Sequence, residues 1–340
     1  MMSSGAKRLS KLFSPVGGPA LTGAESLQAG AAVLLNFMSL TKGVSVSDEL
    51  AALRYLRLQD LNIDAASGRS GLQRAELVPT RDISAVWASD LLRPTDMAVA
   101  RPPETDELTL PAWYSHQQYR LLTSGQLYET AHSKPAGWFS GLRGLFGGGA
   151  EGVRATSATA AFDVDGDGVL THEERSAALL DWNARYDTTA QLWREETGTR
   201  FRLPRTGGPT PVGVHPRSYL NLVHPTIKTQ LSAERLEKLP QLLAGLESQA
   251  KVSKRILALG PAVVNDEWIA SAVERYQTFL ELKAEHPEQT VVPTLDIDLI
   301  WHCHMLSPDD YIEDCEEILG RVLPHDTGKA RGELSTAFAE

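Results

Sequence analysis

Residues 292–311 read VPTLDIDLIWHCHMLSPDDY, and the spacing within them decides the fold. Ile297, Ile300, Trp301, His304 and Met305 recur at three- and four-residue intervals, which sets them on one face of a helix. Pro293-Thr294 puts a threonine at the N-cap, and Asp296 and Asp298 fall in or near the first turn, where the helix dipole favours carboxylates. Ser307-Pro308-Asp309-Asp310 ends that helix and opens another, with serine as N-cap and proline at the first helical position. Tyr311, Cys315, Ile318 and Leu319 make the inner stripe of the second helix, and Gly320 is its C-terminal stop. The segment predicts a helix, a sharp corner and a second helix.

Residues 78–97, VPTRDISAVWASDLLRPTDM, are a degenerate copy of the same stretch. Aligned without gaps, the two share nine identities in twenty, including both prolines and the tryptophan. Arg54-Tyr55 upstream of the first copy faces Arg275-Tyr276 upstream of the second. The chain therefore reads as two related helical units.

Helical periodicity extends outward from both copies. Leu27, Leu34, Leu35 and Met38 form one stripe; Ser45-Val46-Ser47-Asp48 resembles a capping box opening a helix with Leu50, Leu53, Leu56 and Leu61. Ser232-Ala233-Glu234 introduces Leu236, Leu239, Leu243 and Leu246, followed by Val273, Tyr276 and Leu280. His215-Pro and His224-Pro read as turn chemistry, and Val212 to Val214 as an extended connection. Strand-like alternation is sparse, so the fold class is mainly α. The expected organisation is a flexible or targeting tail at 1–24, a first unit at 25–215 and a second at 216–340. The first unit would hold a Gly-rich linker at 135–152 and an inserted helix-loop-helix at 152–186.

Composition limits the function. The 340 residues carry 33 Lys+Arg against 43 Asp+Glu, a net charge of −10, which argues against a phosphate-neutralising nucleic-acid binder. The longest apolar runs fall well short of the ~20 residues that span a bilayer. Two cysteines, Cys303 and Cys315, cannot staple a secreted scaffold, and a reducing compartment is the default. The cytoplasm is the expected location, or an organelle if the basic segment with Lys7, Arg8 and Lys11 acts as a transit peptide.

PTLDIDLIWHCHMLSP, followed by Tyr311, Asp314-Cys315 and Gly320-Arg321-Val322-Leu323, resembles the signature of the glycine-rich-domain-protein-like (GRDP-like) family. With the preceding Arg275-Tyr276 helix the resemblance covers roughly residues 262–326. It implies a helical fold and carries no established reaction. In the first copy Ala88 and Asp90 take the places of His302 and His304. Asp187 to Trp193 resembles a helix that follows the signature in the family, and the second copy stops at Leu334 to Glu340, about where such a helix would be under way.

One motif has firm chemistry. Residues 163–174, DVDGDGVLTHEE, fit the twelve-residue EF-hand loop. Asp163, Asp165 and Asp167 supply carboxylates at positions 1, 3 and 5, and Gly168 permits the turn at position 6. Val169 offers its carbonyl at position 7, Thr171 stands at position 9, and Glu174 at position 12 can bind bidentately. The implied cofactor is Ca2+. No second loop accompanies it, so the lone site is expected either to bind more weakly or to pair with a neighbouring molecule through Leu170, as a homodimer. The aromatics of the preceding Gly-rich linker, Trp138 and Phe146, leave two readings open: they dock the linker on the core, or their contacts change when calcium orders the helices that follow.

His302-Cys303-His304 leaves three readings open: structural polar residues, a transition-metal site, or an acid–base pair. Residues two apart on a helix diverge by about 200°, so the two histidines cannot readily grip one ion. Asp298 with His302, one turn apart, is the better pair, with Cys315 and His325 as further candidate ligands. His304 is expected to hydrogen-bond across the core to the first repeat, and Cys303 to be a core thiol. The leading functional expectation is a calcium-binding, calcium-responsive helical protein that engages a protein partner. Its alternative is a metal-dependent or acid–base enzyme centred on Asp298, His302 and His304.

Overall fold

The computed structural model describes residues 27, 31, 34, 35, 38, 47–66, 79–93, 153–154, 164–166, 169–203, 216–260, 263, 265–289, 291–306 and 308–325. The expected tail, the Gly-rich linker with Trp138 and Phe146, and the C-terminal Leu334 to Glu340 lie outside these residues. Among the described residues the chain is helical except for one short antiparallel pairing. In order the elements are α1 (Asp48–Ala66), α2 (Arg81–Leu91), β1 (Val153–Arg154), β2 (Val169–Leu170), α3 (His172–Thr197) and α4 (Pro216–Lys228). There follow α5 (Ala233–Glu237), α6 (Leu239–Ala258), α7 (Asp266–Glu285), α8 (Leu295–Met305) and α9 (Pro308–Leu319). No described helix is long and apolar enough to cross a membrane.

α6 packs on α1 and α2, which carry the first copy, and on α8, which carries the second. Apolar residues from both halves thus share one core, from Leu27, Leu35 and Leu56 to Ile300, Met305 and Leu323. Burying each such side chain contributes about 1.5–3 kcal/mol, the main stabilising term for helices too short to persist alone.

Local chemistry accounts for most boundaries. Ser47 caps α1, its hydroxyl accepting the Leu50 amide at 3.3 Å, so the capping residue is Ser47 and not Ser45. Ser232 accepts the Arg235 amide, but the helix it opens ends at Glu237. Proline follows directly after Leu239, near the start of α6, and cannot continue a preceding helix. The His-Pro pairs are helical rather than turn-forming: Pro216 begins α4 and Pro225 lies inside it.

The expected one-sided stripe on α8 is too narrow. Every residue from Leu299 to Met305 is buried, because α6, α7 and α9 surround this helix on several sides.

The matching positions of the two copies make matching contacts. Arg54 of α1 pairs with Asp82 of α2, and Arg275 of α7 pairs with Asp296 of α8. The Tyr55 hydroxyl bonds Asp90 at 2.8 Å, while the Tyr276 hydroxyl bonds His304 Nδ1 at 2.9 Å. Thr80 stands at the N-cap of α2 and Thr294 at that of α8, yet neither caps its helix with its side chain. The Thr80 hydroxyl instead donates to Asp82 at 2.7 Å.

Candidate functional site

Two places carry groups that could hold a cation. The first is the acidic loop leading into α3. Asp163, Asp167 and Gly168 lie outside the described residues. Gly166, at loop position 4, has φ +71, the left-handed conformation that glycine adopts without penalty. β2 occupies loop positions 7 and 8 and pairs antiparallel with β1, Val153 opposite Leu170 and Arg154 opposite Val169. A strand from the same chain therefore lies against this part of the loop.

Glu174 closes the loop. Its Oε1 accepts the Val164 amide at 2.7 Å, and its Oε2 accepts the Thr171 amide at 2.7 Å and the Thr171 hydroxyl at 2.8 Å. The Thr171 hydroxyl accepts the Glu174 amide in return, completing a capping box at the start of α3. The Thr171 amide, then the Val164 amide and the Thr171 hydroxyl, hold the carboxyl below its ordinary range. The ionised carboxylate thus reaches from loop position 2 to position 9. Asp165 is exposed to solvent.

The second place lies on α8 and the chain after α9. Asp298 and His302 stand one turn apart on α8, their Oδ1 and Nε2 separated by 3.5 Å. Gly320, with φ +69, turns the chain back at the end of α9. The Tyr311 hydroxyl then holds the Leu323 carbonyl at 2.7 Å while accepting the Trp301 indole N–H at 2.9 Å. This anchoring delivers His325, whose Nε2 lies 3.0 Å from His302 Nε2 and 3.4 Å from Asp298 Oδ1. The three ligand atoms lie within 4.8 Å of one another.

Burial drives His302 down to about 4, with Asp298 opposing and His325 reinforcing the shift, so its imidazole is neutral at pH 7. Burial raises Asp298, but His302, His325 and Arg255 outweigh it and hold the carboxyl below its ordinary value. His302 Nδ1 and His325 Nδ1 are buried without a hydrogen-bond partner among the described residues.

His304 is not part of this cluster. It points the other way from His302, as residues two apart on a helix must. Its Nδ1 meets Tyr276 of α7, and its Nε2 lies 3.1 Å from Asp314 of α9. The expected contact with the first repeat gives way to partners within the second copy, because α7 and α9 flank that face of α8. Cys315 also stays out of the cluster, buried beside Tyr311 and the Leu323 backbone. Cys303 is a core thiol, its Sγ directed at the Leu27 carbonyl 3.9 Å away, and burial raises its pKa.

Residues 224–314 match the family described as Glycine-rich domain-containing protein-like. The GRDP-like segment thus begins within α4 and ends within α9; it contains Asp298, His302 and His304 and stops short of His325. Glycine-rich domain-containing protein 1 of Arabidopsis thaliana is 41% identical over 86 residues, which is 23% of this chain and 10% of that protein. Glycine-rich domain-containing protein 2 of the same plant is 40% identical over 85 residues, 23% of this chain and 11% of that protein. The chain spans about a tenth of the length of these relatives. No solved structure matches it.

Sequence reasoning passes over one buried group near the first copy. Arg54 is fully buried, donates to Asp82 and to the Phe201 carbonyl, and lies over the Trp193 ring at 5.4 Å. The only signal for it is the Arg-Tyr pair that recurs in both copies.

Proposed function

We propose that this is a calcium-binding protein whose loop at 163–174 takes one Ca2+ and conveys its occupancy along α3 to the helical body. The observation that carries the reading is Glu174. Its ionised carboxylate already spans the loop between the Val164 and Thr171 amides, so a cation among Asp163, Asp165 and Asp167 would draw on a group held close at hand. The left-handed Gly166 and the β2 pairing at positions 7 and 8 suit the same loop geometry.

The conveying element is α3. Its 26 residues run unbroken from the loop to Thr197, a rod of about 39 Å. Trp193 near its far end is buried against Phe201 and the Arg54 guanidinium. A protein partner that senses the change would engage the helical surface, and pairing of two such loops through Leu170 remains part of the proposal. The acid–base alternative loses its third member, since His304 has Tyr276 and Asp314 as neighbours.

Calorimetric titration with calcium tests the reading. Wild type should take up one ion with an affinity between roughly 10⁻⁷ and 10⁻³ M, and Glu174→Gln should bind at least tenfold more weakly. Equal binding by Glu174→Gln, or no uptake by wild type at millimolar calcium, would overturn it.

A further inference from the structure

The geometry points to a second and chemically different metal site: Asp298 Oδ1, His302 Nε2 and His325 Nε2 bind a divalent transition ion of the zinc class. The separations among these atoms are 3.0, 3.4 and 3.5 Å. Ligands about 2.05 Å from a tetrahedral ion lie about 3.3 Å from one another, so an ion fits this triangle with little movement. Two imidazoles and a carboxylate are ligands of intermediate hardness that suit zinc and its neighbours, whereas calcium takes six to eight oxygens.

Ion-free, the arrangement is poorly satisfied. Only one proton can sit between the two Nε2 atoms 3.0 Å apart, and it serves one of them. The Asp298 oxygen faces both at distances too long for strong charge-assisted bonds. A cation would engage all three lone pairs together, with each ring proton then on Nδ1, for which no described residue supplies an acceptor. Arg255, on α6, is the cation whose field reaches Asp298; two imidazoles and one carboxylate still leave the ion one negative ligand.

The first copy supplies an internal contrast. Ser84 and Ala88 stand where Asp298 and His302 stand, and the Ser84 hydroxyl is spent on the Thr80 carbonyl at 2.9 Å. The helix, the Arg–Asp pair and the tyrosine contact all persist there without the ligands. The fold of the unit therefore does not require this cluster.

Chelator-stripped protein titrated with Co2+ and with Zn2+ provides the test. Wild type should bind one Co2+ per chain with the visible absorption band of a low-coordinate nitrogen site, and one Zn2+ should displace it. Asp298→Ala and His325→Ala should bind at least about tenfold more weakly, the smallest loss typical even for groups one shell further out. Glu174→Gln and millimolar calcium should leave the band unchanged, which separates this site from the calcium loop. His325 lies beyond α9, so His325→Ala leaves every helix intact and carries the test if Asp298→Ala fails to fold. Zn2+ should also raise the melting temperature of wild type and not of His325→Ala. Absence of the band in wild type, or His325→Ala titrating like wild type, would overturn the inference.

Discussion

His304 sits where α7, α8 and α9 meet, edge-on to Tyr276 and to Tyr311. His304→Ala strips the buried Tyr276 hydroxyl of its hydrogen-bond partner, removes the ring beside Asp314 and opens a cavity. The expected cost is about 3 kcal/mol of unfolding free energy, read from urea denaturation. A cost below about 1 kcal/mol would mean that water takes the ring's place. The divergence of His302 from His304 is legible in the sequence, because helix geometry alone forces it. Which further ligand joins His302 is not. Spacing offers Cys315 and His325 on equal terms, and the choice is made by the Gly320 turn and the Tyr311–Leu323 bond, contacts no local pattern encodes. The Glu174 carboxylate shows the reverse: its role as the reciprocal partner of Thr171 follows from residue types three apart.

At the scale of elements, α2 and α6 approach closely at Gly245. A Cβ built on Gly245 would lie 2.6 Å from Ser89 Oγ, with the other Ser89 atoms at ordinary distance. Gly245→Ala alone therefore sets a helix-propensity gain of up to about 1 kcal/mol against a forced rotation of Ser89. In a Ser89→Ala background the obstacle is gone. The double variant should be more stable than the sum of the two single changes by about 0.5 kcal/mol or more, a non-additivity that thermal unfolding can resolve.

The α1–α4 contact responds to pH. Glu49 is held below its ordinary value mainly by its hydrogen bond to Lys228, with His224 assisting against the opposing effect of burial. A lowered folded pKa means the stabilisation is present above the ordinary carboxylate value near 4.5 and is lost as pH falls through the lower folded value. Both partners are substantially exposed, so screening keeps the pair small. A Glu49→Gln and Lys228→Met cycle should give about 0.5 kcal/mol of coupling at pH 7 and low salt, falling as pH drops below the ordinary carboxylate range. Coupling that stays constant as the pH is taken down until every carboxylate is protonated would contradict the assignment.

Across the whole molecule, the two copies use one design in two environments, and the difference can be measured. Arg54 is fully buried: it donates hydrogen bonds to Asp82 and to the Phe201 carbonyl, and Trp193 and Phe201 cover its face. Arg275 makes the matching pair with Asp296 while its side chain stays 47% exposed. What separates them is α3 and the chain after it, which in the first copy bring Trp193 and Phe201 over the arginine. The sequence makes the Arg-Tyr repeat legible, but which arginine is covered depends on a segment a hundred and more residues away from Arg54, beyond the acidic loop at 163–174. Arg54→Met leaves Asp82 buried without its cation and should cost about 3–5 kcal/mol. Arg275→Met leaves Asp296 within reach of water and should cost about 1 kcal/mol or less. Urea denaturation of both variants reads the contrast directly, and equal costs would show that α3 does not seal the first copy. If calcium at the loop steadies α3, the Arg54→Met penalty should also change between calcium and chelator while the Arg275→Met penalty stays constant. That coupling would tie the loop to the core through α3, which among the described residues runs from the loop to the Arg54 site.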